Sequence, residues 1–207
     1  MNIISVPRSG QHMTERCLRY YHKLMNIKFN YCEFYHCCKC MPCKISENAF
    51  QKNHDWNVKK SKNGKGGIKI EKNNKYLFLY RSNLLQLIEA NFRLHYKNKG
   101  FISDTNIKLD YNDKTILKEF KNYVKVHKKY YKNIFLKYLN KNRSNILEIE
   151  YDNYVLNFVE TFKKILIFFN IPINEEYIKK TELKINIKLE HKIDENDNYY
   201  NLLNKLL

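Results

Sequence analysis

The chain has 207 residues, 43% of them hydrophobic and 14% aromatic, enough for one buried core and too apolar for a disordered polycation. Its 38 Lys+Arg against 21 Asp+Glu give a net charge of +17, a field that attracts nucleotides, nucleic acid, acidic glycans or membrane surfaces without choosing among them. No apolar run of about 18 residues occurs, and the stretch before Pro7 and Arg8 lacks the pattern of a signal or transit peptide. The expectation is a soluble, cytoplasmic chain forming a single domain over residues 1–207, with no membrane partner.

Asn2 to Val6 is a short apolar run ended by Pro7 and followed by Ser9-Gly10, the pattern of a buried strand entering a tight turn. From Thr14, the spacing of Cys17, Leu18, Tyr21, Leu24 and Met25 predicts a helix. Residues 28–48 read as irregular, residues 49–55 as a second short strand, and SKNGKGG (61–67) as a surface loop. KYLFLYR (75–81) is a strand that runs into a helix beginning near Leu84. A long helix follows over about 114–139, apolar and aromatic on one side and lysine-rich on the other; NILEIEY (145–151) alternates as a strand; and 153–170 reads as an apolar helix ending before Ile171-Pro172. The last thirty or so residues read as a helix or tail packed late. Strands separated by helices predict an α/β fold, a mostly parallel sheet flanked by helices.

Ligands of such sheets bind beyond the carboxyl ends of the strands, which nominates two loops. In Pro7-Arg8-Ser9-Gly10-Gln11-His12, Gly10 permits close backbone approach, the following helix offers its positive end, and Arg8 adds a cation, a combination suited to phosphate. The plain alternative is a strand-to-helix turn. A Walker G-x-x-x-x-G-K-[ST] spacing is missing, which removes the main support for an ATPase. The second loop starts at Arg81, with Ser82 and Asn83 as helix-capping candidates; it suits an anion, or else a surface ion pair.

The segments PRSGQHMTERCL, YLFLYRSNLLQLIEANFRL and ILEIEYDNYVLNFVETFKKILIFFNIP, in this order, resemble the sulfotransferases that use 3'-phosphoadenosine 5'-phosphosulfate (PAPS). The first is similar to the family's phosphosulfate loop, P-[KR]-S-G-[TS]-[TS]-x-L. The second resembles its 3'-phosphate strand and helix, and the third its late strand and helix with a Y-E-D-like start. The resemblance implies a P-loop-like sulfotransferase fold that transfers a sulfuryl group from PAPS to a hydroxyl on a carbohydrate or small metabolite, with adenosine 3',5'-bisphosphate (PAP) as product and no metal. It implies that Arg8, Ser9, Gly10, Gln11 and His12 hold the 5'-phosphate, that Arg8 also stabilises charge on the bridging oxygen, and that Arg81 holds the 3'-phosphate. His54, in the place of a Lys-x-His or Thr-His element, would be the general base that makes the hydroxyl nucleophilic. Two departures stand out. Gln11 and His12 occupy positions usually hydroxylic, and His12 competes for the role of base. At position 89 the family usually carries a serine, and a carboxylate facing a 3'-phosphate would repel it, so Glu89 must point away, pair with a lysine, or signal altered donor recognition.

Cys17, Cys32, Cys37, Cys38, Cys40 and Cys43 include two C-x-x-C spacings beside His36, but no second distant knuckle, so reduced thiols or a disulfide compete with a zinc site. The competing functions are a basic nucleic-acid-binding protein with a small Cys/His zinc cluster and a nucleotide-dependent kinase. Nucleic acid is disfavoured because the tyrosines interleaved with lysines in 121–137 fall at core spacing, and a kinase because no carboxylate pair for Mg²⁺ is evident.

Overall fold

The computed structural model describes residues 1–6, 9–33, 50–54, 70–98, 109–139, 141 and 143–187, without the side chains at 94, 95, 97 and 98. Strands β1 (Asn2–Ser5), β2 (Tyr31–Glu33), β3 (Phe50–Asn53), β4 (Tyr76–Tyr80) and β5 (Ile146–Glu150) form one sheet in the order β2-β3-β1-β4-β5, every pair parallel. The helices are α1 (Gln11–Leu24), α2 (Leu84–Asn98), α3 (Lys114–Tyr138), α4 (Tyr151–Leu156), α5 (Phe158–Phe168) and α6 (Glu175–Ile185).

The central strands are apolar at consecutive positions because both faces of the sheet are covered. Successive residues point to opposite layers. Ile4, Tyr76 and Phe78 face α2 and α3, where they pack with Leu85, Ile88, Phe120, Val124, Tyr131 and Ile134. Ile3, Leu77, Leu79 and Ile149 face the other way, onto Cys17, Leu18 and Tyr21 of α1, Tyr154 of α4, Phe158 and Phe162 of α5, and Ile178 of α6. The lysines at 114, 118, 121, 125, 129 and 132 are exposed while Phe120, Tyr131 and Tyr138 are buried, so the aromatics of α3 serve the core. Three helices end on asparagines in the left-handed region, Asn26, Asn170 and Asn186, a place more often taken by glycine.

Four boundaries differ from the sequence expectation. β2 lies within the stretch read as irregular, three residues long at the sheet edge. α1 starts at Gln11 rather than Thr14, because Gly10 adopts a left-handed conformation (φ 79°) that turns the chain into the helix. β3 is shorter than 49–55. The helix expected over 153–170 is two, α4 and α5, separated at Asn157 (φ −121°, ψ 50°).

The order places β1 between β3 and β4, where connections depart to opposite sides, and this is where parallel sheets open a crevice at their carboxyl ends. Register brings those ends level: Ile4 pairs with Asn53, and Ser5 with Leu79.

Candidate functional site

Three loops leave the sheet at this end. In the first, Pro7 and Arg8 lie outside the described residues. Ser9 is fully buried and its hydroxyl has no hydrogen-bond partner among the described residues. Gly10 precedes α1, whose first turn has no acidic residue and no side-chain cap at Gly10. A Cβ on Gly10 would lie 2.2 Å and 2.4 Å from Cδ2 and Cε2 of Tyr151. The Thr14 hydroxyl donates to the Gly10 carbonyl (3.0 Å), fixing the turn. The Gln11 side chain is buried and turned toward the strands, donating to the carbonyls of Asn53 (3.2 Å) and Ile3 (3.4 Å).

Arg81 follows β4 directly. Its guanidinium carbon sits 4.4 Å from the centroid of the Tyr151 ring, a cation–π distance, and its Nε is 3.7 Å from Asp152 Oδ1. The side chain is only 13% exposed. Burial raises the Asp152 pKa; the Arg81 charge opposes that rise and Glu150 adds to it. Of the two capping candidates, Asn83 accepts from the Gln86 N–H (3.0 Å), whereas the Ser82 hydroxyl donates to Glu150. Tyr151 therefore touches both the glycine turn and Arg81.

At the end of β3, His54 Nδ1 lies 3.1 Å from both the hydroxyl and the carbonyl oxygen of Ser5. The Tyr130 hydroxyl of α3 donates to the His54 carbonyl (2.6 Å). Lys52, two residues earlier, is 7% exposed, and its ammonium donates to His12 Nδ1 (3.2 Å) while lying 5.4 Å from the Tyr31 ring centroid. Sequence reasoning nominates neither Lys52 nor Tyr151. The Lys-x-His spacing is the available signal for Lys52, and the Y-E-D-like start of the third segment, whose tyrosine is Tyr151, is the one for Tyr151, although its role lies in tertiary contacts.

Glu89 points into the core. It is 3% exposed, 2.7 Å from Arg93 Nε, and accepts a hydrogen bond from the Tyr111 hydroxyl (3.1 Å). Its partner is thus an arginine on the next helical turn rather than a lysine. Cys17 is a buried free thiol and Cys32 is buried on β2; His36, Cys37, Cys38, Cys40, Cys43 and the loop 61–67 lie outside the described residues. Among the described residues no cluster of three metal-ligating side chains occurs, and no helix is long and apolar enough to cross a membrane.

No family model and no curated protein matches the chain. Among solved structures it is similar to the mouse sulfotransferase SULT7A1, crystallised in complex with PAP, with a TM-score of 0.53 and 15% identity. The match covers 89% of this chain and 63% of that one, so this chain spans less than two thirds of the length of that structure. The likeness is one of fold, an α/β arrangement of the sulfotransferase type around an all-parallel five-stranded sheet.

Proposed function

We propose that the chain, acting as one domain, transfers a sulfuryl group from PAPS to a hydroxyl acceptor, a carbohydrate or small metabolite, leaving PAP. The observation that carries this reading is the Tyr151 ring, which has the glycine turn after β1 against it and the Arg81 guanidinium over it. One residue thereby joins two positive loops at the ends of adjacent strands, an arrangement suited to a nucleotide with phosphates at both ends. Ser9 fits such a ligand, offering a buried hydroxyl without a protein partner among the described residues, while the missing side chain of Gly10 admits the Tyr151 ring against the turn.

In this reading Ser9, Gly10, Gln11 and His12, with Arg8, hold the 5'-phosphate through the first turn of α1, and Arg81 holds the 3'-phosphate. The donor supplies an activated S–O bond. His54 takes the acceptor's proton as the hydroxyl oxygen bonds to sulfur, and the bond from sulfur to the bridging oxygen breaks with its electron pair going to that oxygen. Arg8 and Lys52 are the cations that would stabilise the charge developing there.

The test is thermal unfolding with adenosine 3',5'-bisphosphate or with ATP and Mg²⁺. At a hundred times its Kd, a ligand adds about 2.7 kcal/mol, which for a chain of this size raises Tm by roughly 5–11 °C. The bisphosphate should produce this shift and Arg81→Ala should lose it. Preference for ATP, or no shift with either nucleotide, refutes the reading. His54→Ala should keep the shift while reducing transfer from labelled PAPS to a panel of hydroxyl acceptors by about 10²-fold or more.

A further inference from the structure

Two histidines flank the proposed site, and either ring could serve as base or as phosphate donor. Their partners differ in kind. A carbonyl oxygen can only accept a hydrogen bond, so the 3.1 Å contact between Ser5 O and His54 Nδ1 requires the proton on Nδ1. The Ser5 hydroxyl, also at 3.1 Å, can accept from the same N–H. In the neutral ring Nε2 is then the basic nitrogen. An ammonium can only donate, so the 3.2 Å contact between Lys52 Nζ and His12 Nδ1 requires a lone pair on Nδ1 and, in the neutral ring, a proton on Nε2.

We infer that Ser5 and Lys52 are positioning residues that hold the two histidines in opposite tautomers, His54 as proton acceptor and His12 as hydrogen-bond donor. The inference rests on the proposed function for its meaning, since it divides the roles of base and phosphate ligand between rings that sequence leaves in competition. Both holders are built into the sheet: Ser5 ends β1 and is fully buried, and Lys52 is a buried residue of β3. Tyr130 adds a third point by gripping the His54 backbone from α3.

The measurement is the two-bond ¹⁵N–¹H correlation spectrum of the full chain labelled at histidine, at a pH where both rings are neutral, with resonances assigned by their loss in His12→Gln and His54→Gln. The expected spectrum shows Nε2 of His54 and Nδ1 of His12 as the unprotonated nitrogens. In Lys52→Met the single tautomer of His12 should give way to a mixture while His54 keeps its own. In Ser5→Ala, which keeps the carbonyl, the Nδ1–H of His54 should exchange with solvent roughly fivefold faster for the lost hydrogen-bond acceptor. The same tautomer on both rings, or a His12 signal indifferent to Lys52→Met, overturns the inference. No nucleotide is present in this experiment, so split tautomers combined with a flat bisphosphate titration would overturn the donor reading instead and leave the two ring states standing.

Discussion

Replacing Gly10 by alanine tests the geometry on which the site depends. The new Cβ would stand 2.2 Å from the Tyr151 ring where ordinary contact begins near 3.4 Å, so ring or turn must retreat by about 1.2 Å. The backbone at φ 79° adds a second penalty, since a side chain in the left-handed region costs roughly 1–2 kcal/mol. With overpacking at roughly 1–3 kcal/mol, the sum is about 2–5 kcal/mol. Urea denaturation followed by circular dichroism measures it, and a double-mutant cycle separates the parts. In a Tyr151→Ala background the steric share should vanish, leaving a coupling of about 1–3 kcal/mol between the two positions. The ring that must move also carries Arg81, so Gly10→Ala should weaken bisphosphate binding as well. A variant within about 0.5 kcal/mol of the parent, or a strictly additive cycle, refutes the reasoning.

Three further outcomes follow from buried groups. The Tyr21 hydroxyl donates to the Pro172 carbonyl and accepts from the Asn174 N–H, both at 2.8 Å, so Tyr21→Phe should destabilise the fold by about 1–3 kcal/mol in the same denaturation assay. Burial lowers the His22 pKa below its ordinary 6.5, so its contribution to stability is complete above that value and is lost as pH falls through the lowered one; His22→Gln should flatten that part of the stability profile. Burial pushes the Cys17 thiol up to about 12, so iodoacetamide at pH 8 should leave Cys17 unmodified in the native chain and alkylate it in urea, as peptide mass mapping would show.

The sheet is legible in the sequence where burial on both faces leaves a continuous apolar run, as in β1 and β4, and α3 is legible from its periodicity. β2 is not, because three residues on an edge strand carry too little pattern. β3 falls within the strand expected at 49–55, but its burial does not show in the sequence: Phe50-Gln51-Lys52-Asn53 is buried throughout although three of the four side chains are polar. The division at Asn157 is hidden for a related reason: neither proline nor glycine stands there, and the residues on both sides suit a helix. Within the site, Gly10 and Arg81 can be nominated from local chemistry, and the Y-E-D-like start marks their shared neighbour Tyr151, but not the contacts that join the three. The inward turn of Gln11 is equally invisible, since its acceptors are strand carbonyls that only the folded sheet brings within reach.

The Glu89–Arg93 pair constrains how this helix can change. Loss of Arg93 first would leave a carboxylate that is 3% exposed with the Tyr111 hydroxyl but without its cation, at a penalty of about 3–5 kcal/mol, whereas loss of Glu89 first leaves an arginine whose side chain is 22% exposed. Any succession of substitutions toward a serine at position 89 is therefore directional, with the acid departing before the base.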